Sequence, residues 1–145
     1  MRSIYLTVIA LLFFVSVYSQ EAKKADSTKA NSSVLALKKY LDMRTLPSAV
    51  MREQDIQGLV IVGFKIDSNK KITDIQFLKS STKEYNGRVT RVLTEYTKDV
   101  LLPPDEYSIA FEFLLLHGKP EIKTIPFDKS IYQNFLFEVD VIYSN

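Results

Sequence analysis

Residues 58–81 read GLVIVGFKIDSNKKITDIQFLKSS, and this segment carries the strongest structural signal in the chain. Apolar residues alternate along 58–66 and again along 72–79, which is the two-residue period of a β-strand. Asp, Ser, Asn and two Lys residues occupy 67–71 between them and favour a turn. The segment therefore predicts a β-hairpin.

The two strands of this hairpin differ in their faces. The first carries apolar residues on both faces, so we expect it to lie centrally and to be covered on much of both sides. In the second, Ile75 and Phe77 share one face, while Asp74 and Gln76 share the other.

Helical spacing appears before and after the hairpin. Val34, Leu37 and Leu41 predict a helix over 33–43, and Pro47 suits the first turn of a second, short helix. A third helix is predicted from apolar residues at helical spacing between Val89 and Val100.

Two further alternating segments, 107–116 and 133–143, predict a third and a fourth strand. Hairpin-linked strands with segregated helices indicate the α+β class. We expect an antiparallel sheet of three to four strands with helices packed on one face.

The start of the chain has the pattern of an export signal. Arg2 precedes an uncharged apolar run of about 14 residues and then small residues, which predicts a secretory signal peptide over 1–19. An uncleaved anchor is the alternative, although the run is shorter than the roughly 20 residues of a spanning helix. Residues 20–33 are polar and predict a disordered leader, so 34–145 would form the single domain.

Composition argues against several function classes. The net charge is only +2 and there is no cysteine, so neither nucleic-acid binding nor thiol chemistry is indicated. His117 is the sole histidine and no spacing suggests zinc ligands. Glu112 lies between two phenylalanines, and strand alternation favours solvent exposure over burial with a raised pKa. We expect no catalytic residues, no cofactor and no bound metal.

Two other groups of side chains invite a chemical interpretation. Asp67 and Asp74 flank the hairpin turn, but the lysines between them oppose calcium binding, so a solvated turn is expected. Ser80 and Ser81 lack the Gly-x-Ser-x-Gly setting of a nucleophile and are expected to serve turns or caps.

Residues 46–116 resemble the C-terminal domain family of TonB, as an atypical short member. A short helix led by Pro47, the hairpin, an amphipathic helix and a strand ending in YSIAFEFLL follow in the family's order. The hairpin positions that match the family pattern are Gly58, Asp67, Lys71, Ile72, Ile75 and Ser80. Lys70 stands where the family usually has glycine, and the chain has no tryptophan and no proline-rich spacer.

This resemblance implies a non-catalytic periplasmic module of the Gram-negative envelope that binds a partner segment by β-strand addition and is linked to TonB-type transport. In strand addition, an extended peptide satisfies the open N–H and C=O groups of a sheet edge. The implied partner is an outer-membrane transporter or another envelope protein, with pairing of two copies through an edge strand as a further option. The implied edge residues are Ser108, Ile109, Ala110, Phe111, Glu112, Phe113 and Leu114.

Two questions stay open at the level of sequence. The strand over 133–143 could cover that edge, lie elsewhere, or extend the sheet and become the new edge. The alternative function is a small-ligand carrier or an uncharacterised periplasmic enzyme with a pocket between sheet and helices, lined by Phe111, Phe113, Phe135 and Phe137.

Overall fold

The computed structural model describes residues 26–55, 57–81, 83–115 and 125–143. Within these residues the helices are α1 (26–44), α2 (Ala49–Glu53) and α3 (Lys83–Thr94). The strands are β1 (Gly58–Ile66), β2 (Ile72–Ser80), β3 (Glu106–Leu115) and β4 (Phe135–Tyr143), and a 3₁₀ turn covers Lys129–Ile131.

The strands form one sheet in the order β2-β1-β3-β4. β1 pairs antiparallel with both β2 and β3, whereas β4 pairs parallel to β3. The predicted α+β class is therefore confirmed. The sheet differs from the expected all-antiparallel arrangement because the chain crosses over after β3 and β4 re-enters in the same direction.

The β1–β2 hairpin forms as predicted, and its turn is held by an aspartate. The Asp67 Oδ1 atom accepts hydrogen bonds from the N–H groups of Asn69 at 2.9 Å and Lys71 at 2.8 Å. Lys70 adopts a φ of 63°, in the left-handed region where glycine is the least strained residue. The chain thus uses a glycine-like turn without glycine, and Asp67 accepts two of its backbone hydrogen bonds.

The main core lies between the sheet and the helices. Its aromatic centre is Tyr85 of α3, whose ring stacks on Phe113 of β3 with centroids 4.0 Å apart. Leu37 and Leu41 of α1 are fully buried against the same side of the sheet. The predicted apolar stripes therefore pack on the sheet and fix one face of its strands, but α3 ends at Thr94, so Val100, predicted to lie in this helix, is buried outside it.

Gly58 is required by this packing and not by its backbone angles. A Cβ atom at this position would lie 2.7 Å from a Tyr85 ring carbon and 2.8 Å from the Ser81 Cβ atom. Both distances are shorter than normal contacts, so α3 can approach β1 closely only because residue 58 has no side chain.

A strap, residues 125–134, crosses the other face of the sheet. Leu59, Ile61 and Ala110 are fully buried there. The partly buried apolar residues that pack on them are Ile125, Phe127, Tyr132 and Phe135. The prediction that β1 is covered on both sides is confirmed, because the strap supplies the second cover.

Two sequence-based expectations about helices need correction. Residues 26–33, expected to be disordered, continue α1, and the Ser33 Oγ atom accepts a hydrogen bond from the Leu101 N–H group at 2.9 Å. Pro47 precedes the N-cap of α2, which is Ser48, instead of lying in the first turn. In α2 only Met51 is buried, while Val50 is 48% exposed. The predicted signal peptide lies outside the described residues.

A candidate protein-binding edge

The strand predicted to be the binding edge is an interior strand. Residues Ser108–Leu114 of β3 pair with β4, and Ser108–Phe113 also pair with β1 on the opposite side. Their backbone groups are therefore used within the sheet, and the prediction of a β3 edge is wrong. The physical reason is the extra C-terminal strand, which was left open in the sequence as a possible cover.

β4 is positioned by contacts at its start. Ser108 donates a hydrogen bond from Oγ to the Gln133 carbonyl at 3.0 Å, and the Asn134 side-chain amide donates to the Glu106 carbonyl at 2.8 Å. Asn134 itself has a φ of 44°, a conformation that asparagine tolerates better than most residues. These contacts hold the end of the strap against β3, so that β4 begins beside Ser108.

The sheet consequently ends in β2 on one side and β4 on the other. No described segment pairs with the outer side of either strand. The two edges differ in regularity. β2 has two register shifts against β1, and Asp74 within it has a φ of 49°, so its outer side is irregular.

The β4 edge is regular over most of its length. After one shift between Ser108 and Ile109, pairing runs without a break from Ile109 with Phe137 to Leu115 with Tyr143. In a parallel ladder, alternate residues direct their N–H and C=O groups to opposite sides of the strand. Half of the β4 backbone groups therefore face outward in a regular row, which is the geometry that strand addition needs.

The side chains along β4 give each face a different character. Val139, Val141 and Tyr143 are buried on the helix side. Glu138 and Asp140 lie on the strap side, where the Lys129 Nζ atom is 2.6 Å from Glu138 Oε1. Asp140 is exposed and makes no ion pair or hydrogen bond with any described residue. The edge thus combines an apolar face with an acidic one.

Glu112 lies beneath the strap, next to these two acids. It is 2% exposed, which corrects the expectation that alternation would place it in solvent. Alternation assigns it to the correct face, but the strap covers that face. The alternative given in the sequence analysis, a buried Glu112 with a raised pKa, is the one observed.

The carboxyl of Glu112 is only partly satisfied. Its Oε1 atom accepts a hydrogen bond from the Ile125 N–H group at 3.0 Å, whereas Oε2 has no partner among the described residues. Burial raises the pKa of Glu112, the Ile125 hydrogen bond partly opposes this, and the nearby charges of Asp140 and Glu138 raise it further. The fold therefore disfavours the ionised form of this carboxyl relative to the unfolded chain.

An open groove of about 330 Å³ lies beside the strap on the same face of the sheet. Its ionisable residues are already paired, since the Lys65 Nζ atom lies 3.2 Å from Asp74 Oδ2 and 3.5 Å from Glu106 Oε1. The hydrogen bond with Asp74 is the main cause of a raised pKa at Lys65. Leu78, half exposed, and Ile131, 69% exposed, give the groove apolar walls.

The aromatic residues predicted to line a ligand pocket are not brought together. Phe111 and Phe113 are fully buried in the main core, and Phe137 packs against the same core. Phe135 lies on the opposite face of the sheet, in the cluster under the strap. The residues proposed for a pocket between sheet and helices therefore do not share one cavity.

The remaining sequence candidates have structural partners. Ser81 Oγ accepts from the Leu59 N–H group at 3.0 Å, and Ser80 Oγ lies 2.6 Å from Asn86 Oδ1. Among the described residues no cluster of His, Asp or Glu is arranged to hold a metal ion, and no helix is long and apolar enough to cross a bilayer. His117 lies outside the described residues.

Comparison with models of known protein families gave no match, and neither did searches of curated proteins or of solved structures. The likeness to the TonB C-terminal family therefore stays a prediction from the sequence.

Proposed function

We propose that this chain is a non-catalytic interaction module of the bacterial envelope, which binds an extended segment of a partner protein along the outer edge of β4. The observation that carries the proposal is the regular outer side of this nine-residue strand, with which none of the described residues pairs. The signal-like start of the chain supports export to the periplasm. The resemblance to the TonB family supports a link to outer-membrane transport.

The edge has the features that make strand addition favourable. A segment pairing with β4 would satisfy its outward N–H and C=O groups, each net hydrogen bond contributing about 0.5–1.5 kcal/mol. It would also cover Ile142, which is 45% exposed at the end of the strand. β2 is a poorer template because its bulges and the left-handed Asp74 interrupt the row of backbone groups.

The test uses peptides selected on the purified chain from a displayed library of random extended sequences. We expect selected peptides to protect backbone amides of β4 from hydrogen exchange, and to bind at least tenfold more weakly when two alternate peptide nitrogens are methylated. A library that yields no such peptide, or binders that tolerate methylation in both alternate patterns, contradicts the proposal.

Proline substitutions supply a matched test on the protein side. Of the adjacent substitutions Asp140→Pro and Val141→Pro, one removes an outward N–H group and the other removes a bond to β3. The variant that lacks only the outward N–H group should keep its fold but no longer bind the peptide. The equivalent pair in β2, Gln76→Pro and Phe77→Pro, is the control, and its folded member should bind normally.

A further inference from the structure

The acidic face of β4 restricts which partner strands can pair with it. Glu138 and Asp140 stand two residues apart near the middle of the strand, so they project from the same face. On β3 their register partners are Ala110 and Glu112. A third carboxyl, that of Glu112, is nearly completely buried, has one oxygen without a partner in the described part of the chain, and lies directly beside the exposed Asp140.

Among the described residues, a single basic group lies close to the carboxyls of Glu138 and Asp140. Lys129 pairs with Glu138 across the strap, while Asp140 has no ion pair or hydrogen bond in the described part of the chain. Counting the described residues alone, the strap side of the edge therefore carries a net negative charge. A strand added there would place its own side chains directly opposite these acids, at the short distance of cross-strand neighbours.

A second copy of the chain fits this edge badly. In an antiparallel pair of two β4 strands centred on Val139, Glu138 of each copy faces Asp140 of the other. Moving the centre by one residue in either direction places Glu138 opposite Glu138, or Asp140 opposite Asp140. The three most central registers therefore all oppose like charges, which destabilises a sheet.

Resting on the proposed function, we propose that the β4 edge selects an extended partner segment with lysine or arginine at alternate positions and rejects pairing with itself. The basic side chains face Glu138 and Asp140 on the strap side. The intervening partner residues are apolar and lie beside Val139 and Val141 on the helix side. The like charges act as a barrier to homodimers at an open edge, a role that charged residues on edge strands commonly have.

The experiment compares three synthetic nine-residue peptides in which valine alternates with lysine, threonine or glutamate. Binding to the purified chain is measured at low and at high salt, and amide exchange locates the site. We expect the lysine peptide to bind about two- to fivefold more tightly than the threonine peptide, as one cross-strand charge pair with Asp140 would give, since Glu138 is already paired with Lys129. We expect the glutamate peptide to bind more weakly than both, and added salt to reduce all the differences.

Asp140→Lys is the matching protein variant. It should lose the preference for the lysine peptide, and it should self-associate at concentrations where the wild type sediments as a monomer, because Glu138 would then face the introduced lysine. Glu53→Lys, which makes the same charge change at an exposed position on α2, should do neither.

The outcomes separate the two proposals. If the threonine and lysine peptides protect β4 equally well, charge selection is wrong while strand addition stands. If Asp140→Lys keeps the wild-type preference, or if the wild type dimerises through β4, charge selection is also wrong. If none of the peptides protects β4, strand addition itself fails.

Discussion

Replacing Glu112 with glutamine should remove part of the pH dependence of the protein's stability. The substitution keeps the size of the side chain and an oxygen that can accept from the Ile125 N–H group. It removes the ability to ionise beneath the strap, and it places an amide NH₂ group where Oε2 lies. Because the carboxyl is 2% exposed and one oxygen has no described partner, ionisation in the fold leaves a buried charge poorly satisfied.

The sign of the pH effect follows from the raised pKa. The folded protein holds the Glu112 proton to a higher pH than the unfolded chain does, where the ordinary value is 4.5. In the window above that value the folded state binds more protons, so the free energy of unfolding falls as pH rises. The stabilising contribution is complete below the unfolded pKa and is lost as pH passes through the raised, folded pKa.

The magnitude follows from the hydrogen bonds that the carboxyl lacks. Leaving a buried polar group unsatisfied costs about 1–3 kcal/mol, and one of the two Glu112 oxygens is in this state. Between about pH 4 and about pH 8, the wild type should therefore lose about 1–3 kcal/mol of unfolding free energy more than Glu112→Gln does. This comparison cancels any constant cost of placing an amide under the strap.

The assay is urea unfolding of both proteins at several pH values, followed by circular dichroism. Asp140→Asn is the matched control, since it removes one negative charge from the same face of β4 at an exposed site. Its effect should stay below about 1 kcal/mol, as is usual for exposed charges. Parallel stability curves for wild type and Glu112→Gln across this pH range would refute the argument.

The remaining predictions concern the core and the hairpin. Gly58→Ala should lower the free energy of unfolding by about 1–3 kcal/mol, because the added methyl group forces Tyr85 away from β1. Gly63→Ala should lower it less, because its methyl group meets the flexible, half-exposed side chain of Leu78. Urea unfolding of the two variants tests this difference. Phe113→Ala should cost about 3–5 kcal/mol because it empties a fully buried site, and a loss below about 1 kcal/mol in thermal or urea unfolding would contradict the packing described. Asp67→Ala removes an acceptor of two backbone N–H groups, so the same measurements should show a loss of about 1–2 kcal/mol, and an unchanged stability would show that the turn does not depend on it.

The hairpin and the helical core could be predicted because their signals are local. Alternation over 58–81 and the turn residues between the two strands determine β1 and β2 without help from distant contacts. Tyr85, Val89 and Val92 mark the buried face of α3, although Tyr85 itself was not singled out. Periodicity reports which side chains share a face, and on that point the structure agrees.

The position of the edge could not be predicted because strand order is a long-range property. The alternation in β3 is the same whether its outer side is open or paired with β4. That β4 pairs parallel to β3 depends on the strap and on the contacts of Ser108 and Asn134, which no short sequence pattern encodes. The family pattern also ends at 116, before the strand that decides the question.

The burial of Glu112 has a signal in the sequence that lies outside its own strand. The sequence indicates that β1 is apolar on both faces, with Leu59 and Ile61 on one face and Val60 and Val62 on the other. A neighbouring strand in the same sheet shares those faces, so whatever covers Leu59 and Ile61 can extend over Glu112. The interior position of β1 was thus an argument for burial of Glu112, and alternation within β3 alone could not reveal it.

Amide hydrogen exchange of the free protein, measured residue by residue, tests most directly whether β4 is an open edge. We expect fast exchange at every second amide of 137–143 and slow exchange at all amides of 109–113, because β4 pairs on one side only, with β3, whereas β3 pairs with a strand on each side. Uniform protection along β4, or alternating protection along β3, would contradict the account.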